Sequence, residues 1–250
     1  MNKLVLQIWA IYKKELKTIF FSPIAFVVLT AFLFVNGFIF DNILLFIASP
    51  NTPGVLQVMN LFFGNLFFWI LLLITVPIIT MRTLSEEFRQ GTFETLMTVS
   101  IQDFQVILGK YLACCTFFVF LWLPTLSYPA LLQGKIPLDW GPIICGYTGT
   151  FFVGFLFIAV GIFTSSLTAN QIISAILCFS INIFLFSASI TQSHIADGFL
   201  KEIINYTNLF NHILEFKRGI IDTRHIVFYL SFIFLMLFLS TRVLESQRWK

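Results

Sequence analysis

The sequence predicts an all-α membrane protein with six transmembrane helices. The chain has 58% hydrophobic and 11% charged residues, whereas a soluble domain has about 25% charged residues. Its apolar residues fall into six long runs, and about 20 such residues cross a bilayer as a helix. The polar residues between the runs form no block large enough to fold alone. We therefore expect one transmembrane domain over residues 1–250.

The first segment, residues 1–22, has an apolar face at helical spacing and a basic face opposite it. The apolar residues are Leu4, Ile8, Ile11, Leu16 and Ile19, and the basic ones are Lys3, Lys13, Lys14 and Lys17. This pattern predicts an amphipathic helix that lies at the membrane interface. Ser22-Pro23 then ends this helix and begins the next, because proline is tolerated in a first turn.

The six predicted spans lie at 24–40, 61–79, 111–132, 143–164, 172–190 and 226–241. An even number of spans places both termini on the same side of the membrane. With the termini inside, ten of the fifteen Lys and Arg residues are cytoplasmic and five are outside. The positive-inside rule therefore predicts a multi-pass protein of the cytoplasmic (inner) membrane, with both termini in the cytoplasm.

The fourth span carries small residues close to one of its faces. They are Gly146, Thr150, Gly154, Gly161 and Ser165. Small residues four apart let transmembrane helices approach each other, so we interpret this face as a packing surface.

Two isolated amides, Asn36 and Asn182, fall within predicted spans. They are expected to face other helices or a cavity, and either interhelical hydrogen bonding or the lining of a pathway explains them. Pro77, Pro124 and Pro129 are expected to kink the second and third spans.

The chain has no pattern typical of a metal site, a nucleotide site or a catalytic site. Its four cysteines form no C-x-x-C pair, and His194, His212 and His225 are far apart and are expected in solvated loops. No G-x-x-x-x-G-K-[ST] loop occurs, and the basic residues form no stripe for nucleic acid. The spans hold almost no ionisable residues, which disfavours ion-coupled transport and leaves motion driven from outside the chain.

The polar segment 80–110 must lie outside the bilayer between the second and third spans. Gly91 separates two helical patterns within it, and Thr92 is a candidate N-cap for the second. Phe93, Leu96 and Met97 share one face of that second helix. We expect Gly91 to be a hinge or a point of close approach, where a left-handed backbone would strain a β-branched residue.

The segment 191–224 has apolar helical spacing but too little apolar length to span the membrane. It predicts short surface or re-entrant helices outside the membrane. A plain surface loop is the alternative.

The stretch LSEEFRQGTFETLMT…GK resembles the cytoplasmic loop of type-2 ABC transporter permeases. Ser22-Pro23, GIFTSSLTANQI and the C-terminal residues are similar to the gliding-motility-associated branch of these permeases. The resemblance implies that segment 1–22 is an elbow helix. It also implies that segment 191–224 is an external hairpin, whose second helix Gly219 would end. It also implies that segment 80–110 carries a coupling helix docked on an ATPase subunit. The residues that would dock are Glu86, Glu87, Arg89, Gly91, Thr92, Phe93, Glu94, Leu96 and Met97.

The resemblance further implies partners: two copies of an ABC ATPase, which bind the ATP and Mg, and a second permease that is identical or homologous. No catalytic residue and no cofactor is then expected on this chain. One interpretation is a permease subunit of an ATP-driven exporter. The other is a non-transporting scaffold, which passes ATPase motion through segment 191–224 to a protein of the cell envelope.

Overall fold

The computed structural model describes residues 3–48, 58–92, 102–133, 139–190 and 207–247. Within these ranges the chain is helical and contains no strand, so the all-α prediction is confirmed. Five helical segments are long and apolar enough to cross a membrane: Pro23–Phe46, Leu66–Gln90, Asp103–Gln133, Trp140–Leu167 and Thr223–Gln247. The chain is therefore a multi-pass membrane protein.

Eleven α-helices are described, and we number them in chain order. They are α1 (Lys3–Phe20), α2 (Pro23–Ala48), α3 (Val58–Gly64), α4 (Leu66–Thr80), α5 (Ser85–Gln90), α6 (Asp103–Trp122), α7 (Ser127–Gln133), α8 (Trp140–Leu167), α9 (Gln171–Ile190), α10 (Leu209–Phe216) and α11 (Thr223–Gln247). A short 3₁₀ turn, Leu123–Leu126, joins α6 to α7.

Two of the predicted spans are interrupted in the structure. The second span was expected to be continuous over 61–79, but Asn65 separates α3 from α4 and its side-chain oxygen caps α4 at the Phe67 N–H. The third span breaks into the 3₁₀ turn at Pro124, because proline has no N–H to give to an α-helical hydrogen bond. The sixth span is longer than predicted, since α11 has 25 residues.

Helix α8 is the centre of the bundle, and its glycines admit side chains from four other helices. A Cβ at Gly146 would lie 2.7 Å from the Phe63 ring of α3, and one at Gly149 would lie 2.8 Å from Phe216 of α10. A Cβ at Gly154 would overlap the Phe118 ring of α6, and one at Gly161 would overlap the Thr80 side chain of α4. Helix α8 therefore fixes the positions of its neighbours by backbone-to-side-chain contact.

Helix α1 packs along the first half of α6. A Cβ at Gly109 would lie 2.8 Å from the Ile11 side chain, so α6 approaches α1 closely at this glycine. The Tyr12 hydroxyl is hydrogen-bonded to the Thr116 hydroxyl at 3.1 Å. The basic side of α1 stays exposed, as the amphipathic pattern predicts.

The turn between α10 and α11 is a tight reversal. Gly219 has φ +83°, and its N–H bonds to the Phe216 carbonyl while the Ile220 N–H bonds to the Glu215 carbonyl. These are the two hydrogen bonds of a Schellman motif, so Gly219 ends α10 as predicted. Phe216 meanwhile lies against Gly149 of α8, which ties the turn to the centre of the bundle.

Candidate functional site

The polar loop between α4 and α6 is the candidate functional site, and its first half is fastened to the bundle. The Ser165 hydroxyl near the end of α8 accepts hydrogen bonds from the N–H groups of Leu84 and Ser85, both at 3.1 Å. Leu84, Ser85 and Ser165 are all fully buried. Because an N-terminal helix N–H has no partner within its own helix, this bond fixes the start of α5 on α8.

A buried ammonium group joins α5 to two further helices. Lys110 of α6 is 1% exposed, and its Nζ lies 2.9 Å from Oε1 of Glu15 on α1 and 2.9 Å from Oε1 of Glu87 on α5. The same Nζ donates to the Thr83 carbonyl at 2.7 Å. Lys14 lies 3.9 Å from Glu87 at the edge of this group. We call Lys14, Glu15, Glu87 and Lys110 the Lys110 cluster.

The energetics of the Lys110 cluster favour keeping it intact. An ammonium group loses its hydration when it is buried, and only close anions and carbonyls compensate for that loss. Three acceptors surround Lys110 Nζ within 2.9 Å, and Glu15 and Glu87 are only 12% and 15% exposed. Moving α5 away from α1 and α6 would break the Glu87–Lys110 pair and leave the buried ammonium with one carboxylate, so the three helices are expected to move as one unit.

The remaining charges of α5 lie on its exposed side. Arg89 donates to Oε1 of Glu86 at 2.6 Å, and the Gln90 amide donates to the same oxygen at 2.5 Å. Arg89 is 61% exposed. Of the two α5 glutamates among the predicted docking residues, Glu86 is paired with Arg89 and 25% exposed, whereas Glu87 is engaged by Lys110.

Gly91 ends α5 in the left-handed conformation, with φ +68°. A Cβ built there would meet nothing within 4 Å among the described residues, so the glycine is explained by its left-handed backbone and not by a close approach to any of them. The Thr92 hydroxyl lies 3.5 Å from the Glu87 carbonyl. The predicted docking residues Phe93, Glu94, Leu96 and Met97 lie outside the described residues.

The small residues predicted to form a packing face all lie in contacts of α8. Gly146, Gly154 and Gly161 admit Phe63, Phe118 and Thr80. Thr150 is buried and its hydroxyl donates to the Gly146 carbonyl of its own helix at 2.9 Å. Ser165 has a role beyond packing, because it holds the start of α5.

The two amides for which interhelical bonding and pathway lining were both expected, Asn36 and Asn182, are buried. The Asn36 amide donates to the Phe32 carbonyl of its own helix at 2.9 Å, and that of Asn182 donates to the Cys178 sulfur at 3.4 Å. Neither residue lines the two cavities described below. All four cysteines are buried and free.

A cavity of about 350 Å³ lies beside α5, between α1, α2 and α4. Arg82, Glu86 and Arg89 line its polar wall, and Ile79 and Val28 contribute to its apolar wall. A second cavity, of about 780 Å³, lies at the opposite end of α4, against α2 and the α10–α11 turn.

Two histidine predictions are wrong. His212 was expected in a solvated loop, but it is 2% exposed on α10 and its ring centroid lies 3.9 Å from that of His225. His225 was also expected in a solvated loop, but its side chain is 12% exposed in the first turn of α11, and its Nε2 lies 2.6 Å from Oε2 of Glu215. These rings come together because the Gly219 turn folds the start of α11 back onto α10, which sequence separation does not show. His194 lies outside the described residues.

Glu215, Asp222 and His225 place their ligand atoms within 4.8 Å of one another, so they could in principle hold a metal ion. Each has a structural partner already. Glu215 pairs with His225, and Asp222 accepts the Arg224 N–H at 2.8 Å as the cap of α11. These contacts explain the three residues as a group that stabilises the α10–α11 turn.

Sequence reasoning missed Glu15 and treated Lys110 only as a topology signal. The signals were present. Glu15 falls four residues after Ile11 and seven after Ile8, on the same stripe of α1, and a carboxylate on an apolar stripe needs a partner. Lys110 stands at the start of an otherwise apolar run. The pairing of the two, 95 residues apart, depends on the packing of α1 along α6.

No protein-family model matches the chain, and no curated protein matches it either.

Proposed function

We propose that the chain is a permease subunit of an ATP-driven exporter of the type-2 ABC class. It would cross the inner membrane six times, with α9 as the span beyond the five long segments, and keep both termini in the cytoplasm. It would pair with a second permease, identical or homologous, and with two ATPase subunits that bind ATP and Mg. Hydrolysis would take place on those partners, while this chain converts their closure into movement of its helices.

The observation that carries this proposal is the fastening of α5. The Lys110 cluster links α5 to α1 and α6, and Ser165 links it to α8. A force applied to the exposed face of α5 would therefore reach three long helices without loss in a flexible joint. A loop whose charges served only to keep it out of lipid would not need a buried ion pair to the body of the protein.

The experiment is co-purification of the ATPase with a tagged Phe93→Asp/Leu96→Asp variant in detergent. Large apolar residues at an interface centre cost on the order of 2 kcal/mol or more when removed, and a buried carboxylate costs at least as much again. Two such changes should weaken association by several powers of ten, at about 1.4 kcal/mol per tenfold. Insertion depends on the apolar spans and should be unchanged.

Gln102→Asp is the matched control, because Gln102 caps α6 in the same loop and aspartate is also a favoured N-cap. Equal recovery of the ATPase from the double variant and the control would mean that these residues are not the docking element.

The orientation has its own test, in a background without the four native cysteines. Cysteines placed at Asn51 and Asn205 should react with an impermeant thiol reagent in intact cells, whereas cysteines at Gln90 and Gln247 should not. Labelling at Gln90 from outside would remove the basis for ATPase docking.

The scaffold interpretation remains a second candidate because the α10–α11 turn is also joined to α8, through Phe216 and Gly149. Motion of the bundle would then reach the outside surface. ATPase activity that depends only on an extracytoplasmic partner protein would favour the scaffold, and directional flux of a substrate in proteoliposomes would favour transport.

A further inference from the structure

The cavity of about 780 Å³ is lined mainly by apolar residues, and Asn42, Asn65 and Lys217 are its polar lining residues. It lies between the second half of α2, the end of α3 and the start of α4. The side chains of Phe38, Phe46 and Phe67 line it and are between 59% and 65% exposed, so its walls are open to a ligand. Small-molecule sites typically have about 300–1,000 Å³ and mostly apolar walls with a few placed polar groups. The cavity fits this description in size and in chemistry.

One ammonium group lies in this apolar wall. Lys217, from the α10–α11 turn, extends to the end of α3, where a Cβ on Gly64 would lie 2.8 Å from its Nζ. Glycine at position 64 therefore makes the room that the ammonium occupies. We call this site the Lys217 cavity.

No carboxylate among the described residues lies within 4.0 Å of Lys217 Nζ. The carboxylates nearest in sequence are engaged elsewhere, since Glu215 pairs with His225 and Asp222 caps α11. The neighbouring charge is that of Arg218, which has the same sign. Burial, and then the Arg218 charge, lower the pKa of Lys217 from its usual value. The protein thus leaves this cation without an anion inside the described chain.

Two amides also line the wall, and that of Asn42 donates to the Phe38 carbonyl of its own helix at 2.7 Å. The side-chain oxygen of Asn65 accepts the Phe67 N–H at 3.3 Å as the cap of α4, which leaves the Asn65 amide hydrogens as donors at the cavity wall. An ammonium and an amide donor recognise a carboxylate, sulfate or phosphate oxygen, while the phenylalanine walls recognise an alkyl chain.

We propose that the Lys217 cavity binds an amphiphilic anion, with its acidic head group on Lys217 and its acyl chain along Phe38, Phe46 and Phe67. The same chemistry belongs to a resident anionic membrane lipid and to a transported amphiphile. Only the second identity, as the substrate class of the exporter, rests on the proposed function.

The binding test compares two probes that share one oleoyl chain. Native mass spectrometry of the purified full chain in a neutral maltoside detergent is used to titrate lysophosphatidylglycerol, which is anionic, and lysophosphatidylcholine, which is zwitterionic. A charge-assisted hydrogen bond to Lys217 should make the wild-type chain bind the anionic probe at least about tenfold more tightly.

Two variants and one control locate that preference. Lys217→Gln should reduce it to about onefold, and Gly64→Ala should weaken it because the new Cβ displaces the ammonium. Arg218→Gln removes an exposed neighbouring cation that does not line the cavity and should retain the preference. Equal binding of both probes by the wild-type chain, or an unchanged preference in Lys217→Gln, would overturn the site. Full competition by glycerol phosphate would overturn the role of the acyl chain.

The identity of the occupant is decided in proteoliposomes that contain the permease and its ATPase. ATP-dependent loss of bound lysophosphatidylglycerol from the wild-type complex, absent in Lys217→Gln, is the result expected of a transported molecule. A bound anionic lipid that stays in place during ATP hydrolysis would overturn the substrate assignment. That outcome leaves the binding site and the proposed coupling role standing, so the failures can be told apart.

Discussion

One lysine lies near each end of α4, Lys110 of α6 at one end and Lys217 of the α10–α11 turn at the other, and the two differ in their surroundings. At the α5 end, Lys110 is 1% exposed and has two carboxylates and a carbonyl within 2.9 Å. At the α10 end, Lys217 is partly buried in an apolar cavity and has no carboxylate within 4.0 Å among the described residues. The first cation is paired with carboxylates of the protein, whereas the second lacks such a pair among the described residues and is available to a ligand.

This difference separates a structural cation from a binding cation. Burial of Lys110 requires its partners, so removing any one of them affects the stability of three helices. Lys217 makes no ion pair with a described carboxylate. Removing the Lys217 charge should therefore weaken ligand binding and leave the stability of the protein almost unchanged. The end of the bundle at the Lys110 cluster is therefore rigid, whereas the end at the Lys217 cavity remains open.

The largest expected effect is that of Lys110→Met. This change leaves Glu15 and Glu87 buried without their cation, and breaking a buried pair in this way costs about 3–5 kcal/mol. Thermal unfolding in detergent should show a large loss of stability. Lys217→Gln, measured beside it, should change the midpoint little, because it leaves no buried carboxylate unpaired.

A neutral triple variant sharpens this result. Lys110→Met/Glu15→Gln/Glu87→Gln removes the charges together, and replacing a buried ion pair by neutral groups is often close to neutral in stability. The triple variant should recover most of the lost stability. A triple variant as unstable as Lys110→Met would show that packing of the lysine chain, and not the unpaired charge, causes the loss.

A smaller effect on stability is expected from replacing a glycine by alanine near either end of α4. In Gly161→Ala the new Cβ would lie 2.6 Å from Cβ of Thr80, a branched side chain fixed on α4, and overpacking of this kind costs about 1–3 kcal/mol. In Gly64→Ala the obstructing atom is the flexible end of Lys217, which can move away. Thermal midpoints should fall for the first variant only. Equal losses would contradict the distinction between a packed end and an open end.

The smallest effect concerns the end of α5. Gly91 has φ +68°, a conformation that costs a residue with a Cβ about 1–2 kcal/mol. Gly91→Val should therefore raise local amide hydrogen exchange in Ser85–Gln90 by roughly five- to thirtyfold, at about 1.4 kcal/mol per tenfold. Gly91→Asn should do so less, since asparagine tolerates the left-handed region better. Identical exchange in wild type and Gly91→Val would mean that the residue has no special backbone role.

The sequence predicts the helices well and their contacts poorly. Apolar runs and helix-ending glycines are local signals, because they involve residues near each other in the chain. These signals predict α8, α11 and the ends of α5 and α10. The split at Asn65 was missed because a single capping asparagine within an apolar run resembles a tolerated polar residue. The Glu15–Lys110 pair and the His212–His225 contact each depend on how two helices pack, and no local pattern encodes that.

The central claim is that motion entering at α5 passes through the Lys110 cluster to α1 and α6. Hydrogen–deuterium exchange on the complete transporter, with and without a non-hydrolysable ATP analogue, tests it directly. In the wild-type complex the nucleotide should change protection in Ser85–Gln90 and also in Lys3–Phe20 and the first turns of Asp103–Trp122. In the neutral triple variant the change should remain in Ser85–Gln90 and vanish from the other two helices. The same propagation in both complexes, or no response of Ser85–Gln90 in the wild type, would contradict the account.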